Sequence, residues 1–123
     1  MTKLIATLLF LSLLTGGCSF FDPVSKAQHL TNKGKYDDAI KILNKEIEKK
    51  PESVPLKSVL AQTYSDYGLA LCQDPNKSPK VKYTKAKEQF AMALALNPYL
   101  TDAKDMYEMI EKIQESFEKN SID

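Results

Sequence analysis

The chain lacks arginine and tryptophan altogether and has one histidine, two cysteines and four glycines among 123 residues. Each absence removes a class of function. Without arginine there is no planar guanidinium fork for phosphate or guanine recognition. All seventeen basic residues are lysine and face sixteen acidic ones, and once Lys3 leaves with the N-terminal segment described below the balance is even. A nucleic-acid partner, which needs an excess of cations on one face, is therefore not expected. The one histidine, His29, has no cysteine, aspartate or glutamate at ligand spacing, and there is neither a Cys-x-x-Cys pair nor a glycine-rich phosphate loop. No catalytic group, metal site or cofactor is expected, so the chain does not read as an enzyme. Cys18 and Cys72 alone cannot build a disulfide framework. What remains is ordinary: 43% hydrophobic and 27% charged residues, near the globular average, in a length that suits one small domain.

Residues 1 to 17 read as an export signal, with Lys3 as the positive start and an uncharged apolar run from Leu4 to Leu14. As a helix that run spans about 16 Å, short of the roughly 30 Å hydrocarbon layer, so a permanent transmembrane anchor is disfavoured. It ends in Leu14, Thr15, Gly16, Gly17, Cys18. This string resembles the lipobox of bacterial lipoproteins, although the family usually has leucine three places before the cysteine and Thr15 stands there. The resemblance implies a diacylglycerol on the Cys18 thiol, cleavage before it, and Cys18 as the first residue of the mature protein. Several acyl chains on one residue exceed what stable anchoring needs, each buried methylene adding about 0.8 kcal/mol. Ser19 stands where the family's inner-membrane retention signal would be aspartate. That implies a cell-envelope location: the outer membrane facing the periplasm in a Gram-negative cell, or the outer face of the only membrane in a Gram-positive one. The alternative is an ordinary secretory peptide with an incidental Cys18.

The rest of the chain repeats itself. Ala27, Leu30 and Gly34 are answered thirty-four residues on by Ala61, Tyr64 and Gly68; Tyr36, Ala39, Leu43 and Pro51 are answered forty-seven residues on by Tyr83, Ala86, Phe90 and Pro98. The two offsets differ by thirteen, so the second copy carries an insertion of that length between Gly68 and Tyr83. A repeat of this period means stacked supersecondary units. Leu60, Ala61, Tyr64, Ala86, Phe90 and Pro98 in the second copy, and more weakly Ala27, Ala39 and Pro51 in the first, resemble the tetratricopeptide repeat family, over residues 22 to 100. The resemblance implies an all-α fold of two helix-turn-helix hairpins, the second with the insertion, and leaves a C-terminal capping helix.

Helices are expected near 23–33, 36–50, 53–73, 80–96 and 100–119. Ala39 and Ala86 lack bulk and allow close helix approach, and Tyr64 and Phe90 fill the space beside that contact. Gly34 and Gly68 sit where the first helix of each pair should end in a left-handed cap; Pro51 and Pro98 separate one unit from the next. The insertion is expected to lengthen both helices of the second pair around a short loop. In the last helix, Met106, Met109, Ile110, Ile113 and Phe117 share a face that should cover the end of the core, with Glu108, Glu111, Glu115 and Glu118 opposite. Cys72 should be buried as a small apolar residue, an intermolecular disulfide being the alternative.

Two surfaces are candidates for binding. By resemblance, a peptide groove would be lined by the first helix of each pair, here Val24, Gln28, Thr31, Ser58, Gln62, Ser65 and Asp66. It would not be the family's basic clamp for a partner's C-terminal carboxylate, because Val24, Gln28, Val59, Asp102 and Met106 occupy the clamp places. The second candidate is a basic surface of Lys77, Lys80, Lys82, Lys85 and Lys87, able to meet anionic headgroups at roughly 1 kcal/mol per lysine, or else a solvated helix face. Only Ser19, Phe20, Phe21 and Asp22 separate Cys18 from the domain at 23–123, at most about 3.5 Å each, which would hold the domain close to a membrane. Phe20 and Phe21 either dip into the interface or pack on the first helix. The whole reads as a lipid-anchored adaptor for another envelope protein, with a homo-oligomeric structural component as the alternative. Two repeats are fewer than the roughly three a stable stack needs.

Overall fold

A computed structural model describes residues 22–120. The expected export signal, the expected lipidation site Cys18 and the expected tether as far as Phe21 lie outside those residues. Among the described residues five α-helices follow one another: α1 (Pro23–Asn32), α2 (Tyr36–Lys49), α3 (Val54–Gln73), α4 (Pro79–Leu96) and α5 (Thr101–Lys119). The fold is all-α, with no strand among the described residues, and each helix starts and stops within one residue of its expected span.

Local chemistry sets the boundaries. Asp22 caps α1 by accepting from the Ser25 N–H at 3.0 Å, and Pro23 takes the first helical place, where its missing N–H costs nothing. Those bonds to Ser25 hold the Asp22 carboxyl below its usual pKa. At the other end Gly34 adopts φ +74°, the Gly34 N–H donates to the Thr31 carbonyl and the Lys35 N–H to the Leu30 carbonyl, both at 2.9 Å. This is the Schellman arrangement that glycine permits. Ser53 accepts from the Leu56 N–H at 3.4 Å to start α3.

The turns before α3 and α5 match. In Lys50–Pro51–Glu52–Ser53 the Ser53 N–H donates to the Lys50 carbonyl, and in Asn97–Pro98–Tyr99–Leu100 the Leu100 N–H donates to the Asn97 carbonyl. In both, proline holds the second place of the turn, which its fixed φ suits. The two turns are forty-seven residues apart, the offset of the sequence repeat.

α3 is the centre of the molecule, packing on α1, α2 and most extensively α4, and α5 packs on α4. Two apolar clusters result. Ala27, Ala39, Leu43 and Leu60 form the first; Leu71, Ala86, Phe90, Ala93, Ala103 and Ile110 form the second, and Tyr64 packs against both. Ala27, Ala39, Ala61, Ala86, Ala93 and Ala103 are fully buried, as expected of small residues at close helix crossings. Tyr36, at the start of α2, stacks on Tyr67 of α3, with ring centroids 4.8 Å apart.

Two expectations are corrected here. Gly68 does not end a helix: it is buried within α3, and the Phe90 ring lies against it. The capping face of α5 is only partly used, because Ile110 is buried, Met106 and Ile113 are half-buried, and Met109 and Phe117 are exposed. α3 and α4, of twenty and eighteen residues, are longer than α1 and α2, of ten and fourteen. α3 runs to Gln73 and α4 starts at Pro79, leaving a loop of residues 74–78 in which Asp74 accepts from the Asn76 N–H and pairs with Lys77.

Candidate functional site

The helices differ in length, and that opens a groove. α1 has ten residues and α3 twenty, about 15 Å against 30 Å, so the second half of α3 runs past the end of α1. Two clefts lie along this step. One, of about 480 Å³, lies between α1 and the first half of α3, walled by Gln28, Asn32, Ser58 and Gln62 with Thr31, Val59 and Thr63. The other, of about 270 Å³, continues past the end of α1 to Tyr36, Leu69, Ala70 and Gln73. Thr31, Asn32 and Asp66 belong to both.

The floor is polar and satisfied. Thr31 Oγ1 donates to the Ala27 carbonyl at 3.1 Å, Thr63 Oγ1 to the Val59 carbonyl at 3.0 Å, and the two hydroxyl oxygens lie 3.5 Å apart. Each hydroxyl has one proton and can turn it to the backbone carbonyl or to the other hydroxyl, so the pair adds a polar contact to the α1–α3 seam beside the apolar one of Ala27 and Leu60. The Gln62 amide donates to Asp66 Oδ1 at 2.9 Å. Burial, and behind it the Asp66 charge, raises the pKa of the Tyr36 phenol at the far end.

Of the seven residues expected along the groove, Gln28, Thr31, Ser58, Gln62 and Asp66 line it. Val24 is half-buried in the first turn of α1, away from both clefts. Ser65 is corrected: it is 6% exposed, and nothing in the groove reaches it. Asn32, Tyr36, Val59, Thr63, Leu69, Ala70 and Gln73 line the clefts without being among the seven. Gly34 held the clue, since it shortens α1 while nothing shortens α3.

The lysines that adjoin one another in sequence are divided in space. Lys77 is engaged by Asp74, and Lys87 pairs with Glu111 at 3.0 Å while its ammonium lies 4.9 Å from the Tyr107 ring centroid. Glu111 raises the Lys87 pKa above the ordinary lysine value, so Glu111 does not belong to a purely solvated acidic row. The Lys82 ammonium lies 5.4 Å from the centre of the neighbouring Tyr83 ring, and Lys80 and Lys85 are exposed. At about 100° per residue, Lys80 and Lys87 share one side of α4 and Lys82 and Lys85 another. A separate cleft of about 580 Å³ lies between the start of α4 and the end of α5, walled by Pro79, Tyr83, Gln114 and Phe117 among others.

His29 is exposed, and no group of three metal-ligating side chains occurs among the described residues. Cys72 is half-buried against the second cluster, and burial pushes its thiol pKa up. No described helix is long and apolar enough to cross a membrane. Comparison with protein-family models, with curated proteins and with solved structures gives no match for this chain.

Proposed function

We propose that the protein is a tetratricopeptide-like adaptor, tethered to a membrane of the bacterial envelope through acylated Cys18, that holds a segment of another envelope protein in the α1–α3 groove. Assembly of outer-membrane, pilus or secretion components is the kind of task such an adaptor serves. The observation that carries this reading is the groove itself, two adjoining clefts along α3 that share Thr31, Asn32 and Asp66 and have a polar, largely uncharged wall. Two further features support a repeat architecture: the matched proline turns forty-seven residues apart, and the packing of α3 on both α1 and α2, as stacked hairpins require. The proposed role is non-catalytic, in keeping with a sequence that offers no nucleophile, base or ligand set at catalytic spacing.

Crosslinking in intact envelopes followed by mass spectrometry, comparing wild type with Cys18→Ser, tests the proposal. The adaptor reading expects crosslinks from α1 and α3 to a second protein, and loss of membrane fractionation in the variant. Unchanged fractionation would contradict the acyl anchor. A homo-oligomeric structural role is favoured instead by Met92 and Met109, exposed on the last two helices; a stable symmetric oligomer by light scattering would support it.

A further inference from the structure

We infer that the α1–α3 groove takes an extended peptide carrying a lysine or arginine, and that Asp66 is the residue that selects the cation. This rests on the adaptor reading above and names the chemistry of its ligand.

Spacing comes first. Ser58, Gln62 and Asp66 stand at i, i+4 and i+8 along α3, so they recur about every 6 Å, close to the roughly 6.7 Å between same-face residues of an extended chain. From Ser58 to Gln73 the groove wall is about 22 Å long, room for roughly seven extended residues. A helical ligand repeats about every 6.0 Å along its own i, i+4 row and matches the spacing as well; what favours an extended one is that its peptide groups are free to bond the wall, whereas a helix has already paired its own.

The lining supplies the second half. Gln28, Asn32, Gln62 and Gln73 are amides, each with a donor and an acceptor that a peptide unit can answer. Asp66 is the one charged side chain among the residues lining the two clefts. It is half-buried, belongs to both clefts, accepts only from the Gln62 amide, and has no ion-pair partner among the described residues. Covering it with a neutral segment would desolvate a carboxylate without compensation, and an acidic segment would add like-charge repulsion. A cation on the ligand resolves both.

The test is selection of random decapeptides displayed on phage against the immobilised full chain, followed by fluorescence polarisation with the selected peptides. Selected peptides should carry lysine or arginine at a common position, and changing it to methionine should weaken binding roughly fivefold. Asp66→Asn should cause the same loss and leave the methionine peptide unaffected, with circular dichroism verifying an unchanged helix content. Peptides without a common cation, or binding indifferent to Asp66→Asn, overturn the assignment of Asp66. Ser58→Trp, which fills the first cleft, then separates the two claims: if it abolishes binding, the groove stands and only the cation preference fails; if binding persists, both fail. Failure to select any peptide overturns both.

Discussion

A Cβ atom placed on Gly68 would stand 2.9 Å from Cζ of Phe90 and 3.0 Å from its Cε1, so the ring on α4 fills the volume that any other side chain on α3 would need. Gly68 therefore acts through close approach, and the helix tolerates its entropic cost because the ring gains a flat seat. Phe90 is among the largest fully buried side chains of the molecule.

Gly68→Ala should destabilise the fold. Overpacking a core typically costs about 1–3 kcal/mol, and alanine's better helix propensity returns about 1 kcal/mol. A net loss near 1 kcal/mol, or a Tm lower by about 5 °C, is expected by thermal unfolding. Combining it with Phe90→Leu should recover part of that loss, the coupling expected of touching residues. Strict additivity of the two changes would show that they do not meet.

Gly34→Ala should also destabilise, for a different reason. Nothing lies within 4 Å of the added Cβ, so the cost is the left-handed backbone alone, about 1–2 kcal/mol. Gly34→Asn should be milder, since asparagine tolerates that conformation. Equal Tm values for the two variants would rule out the backbone explanation.

Lys87 and Glu111 join α4 to α5 in a partly exposed pair, worth at most about 1 kcal/mol in a double-mutant cycle. The folded-state pKa of Lys87 is raised, so its contribution is fully present below the unfolded-state value near 10.5 and is lost as pH climbs through the higher folded value. Urea midpoints of wild type and Lys87→Met should therefore converge only in strongly alkaline solution. Convergence at neutral pH would mean that the pair contributes nothing.

Cys72 should react slowly with a thiol reagent at pH 8 in the folded protein, at least about tenfold slower than after unfolding in urea, because burial keeps the thiolate fraction low. Equal rates in the two states would place the sulfur in open solvent.

The helices were legible because the chain is punctuated: Pro23, Gly34, Pro51, Pro79 and Pro98 each mark a boundary that local sterics enforce. Gly68 was misleading for the same reason. A glycine signals either a terminus or a near neighbour, and choosing between them requires knowing which residue of α4 lands on it. The basic run misled because adjacency in sequence scatters residues around a helix and says nothing about the acids that α5 and the loop bring to Lys87 and Lys77. Half of the groove was readable from the i, i+4 row on α3. The other half, out to Tyr36 and Gln73, exists only because α1 stops early, which is a property of two elements together.

Tyr64 touches both apolar clusters, and this bears on how so small an assembly denatures. Long solenoids come apart one unit at a time, each boundary being a weak link. Here a single phenol is mortared into both halves, so neither can fray without exposing a ring on which the other depends. Unfolding should be all-or-none, with the slowest-exchanging amides of the N-terminal and C-terminal halves sharing one opening free energy.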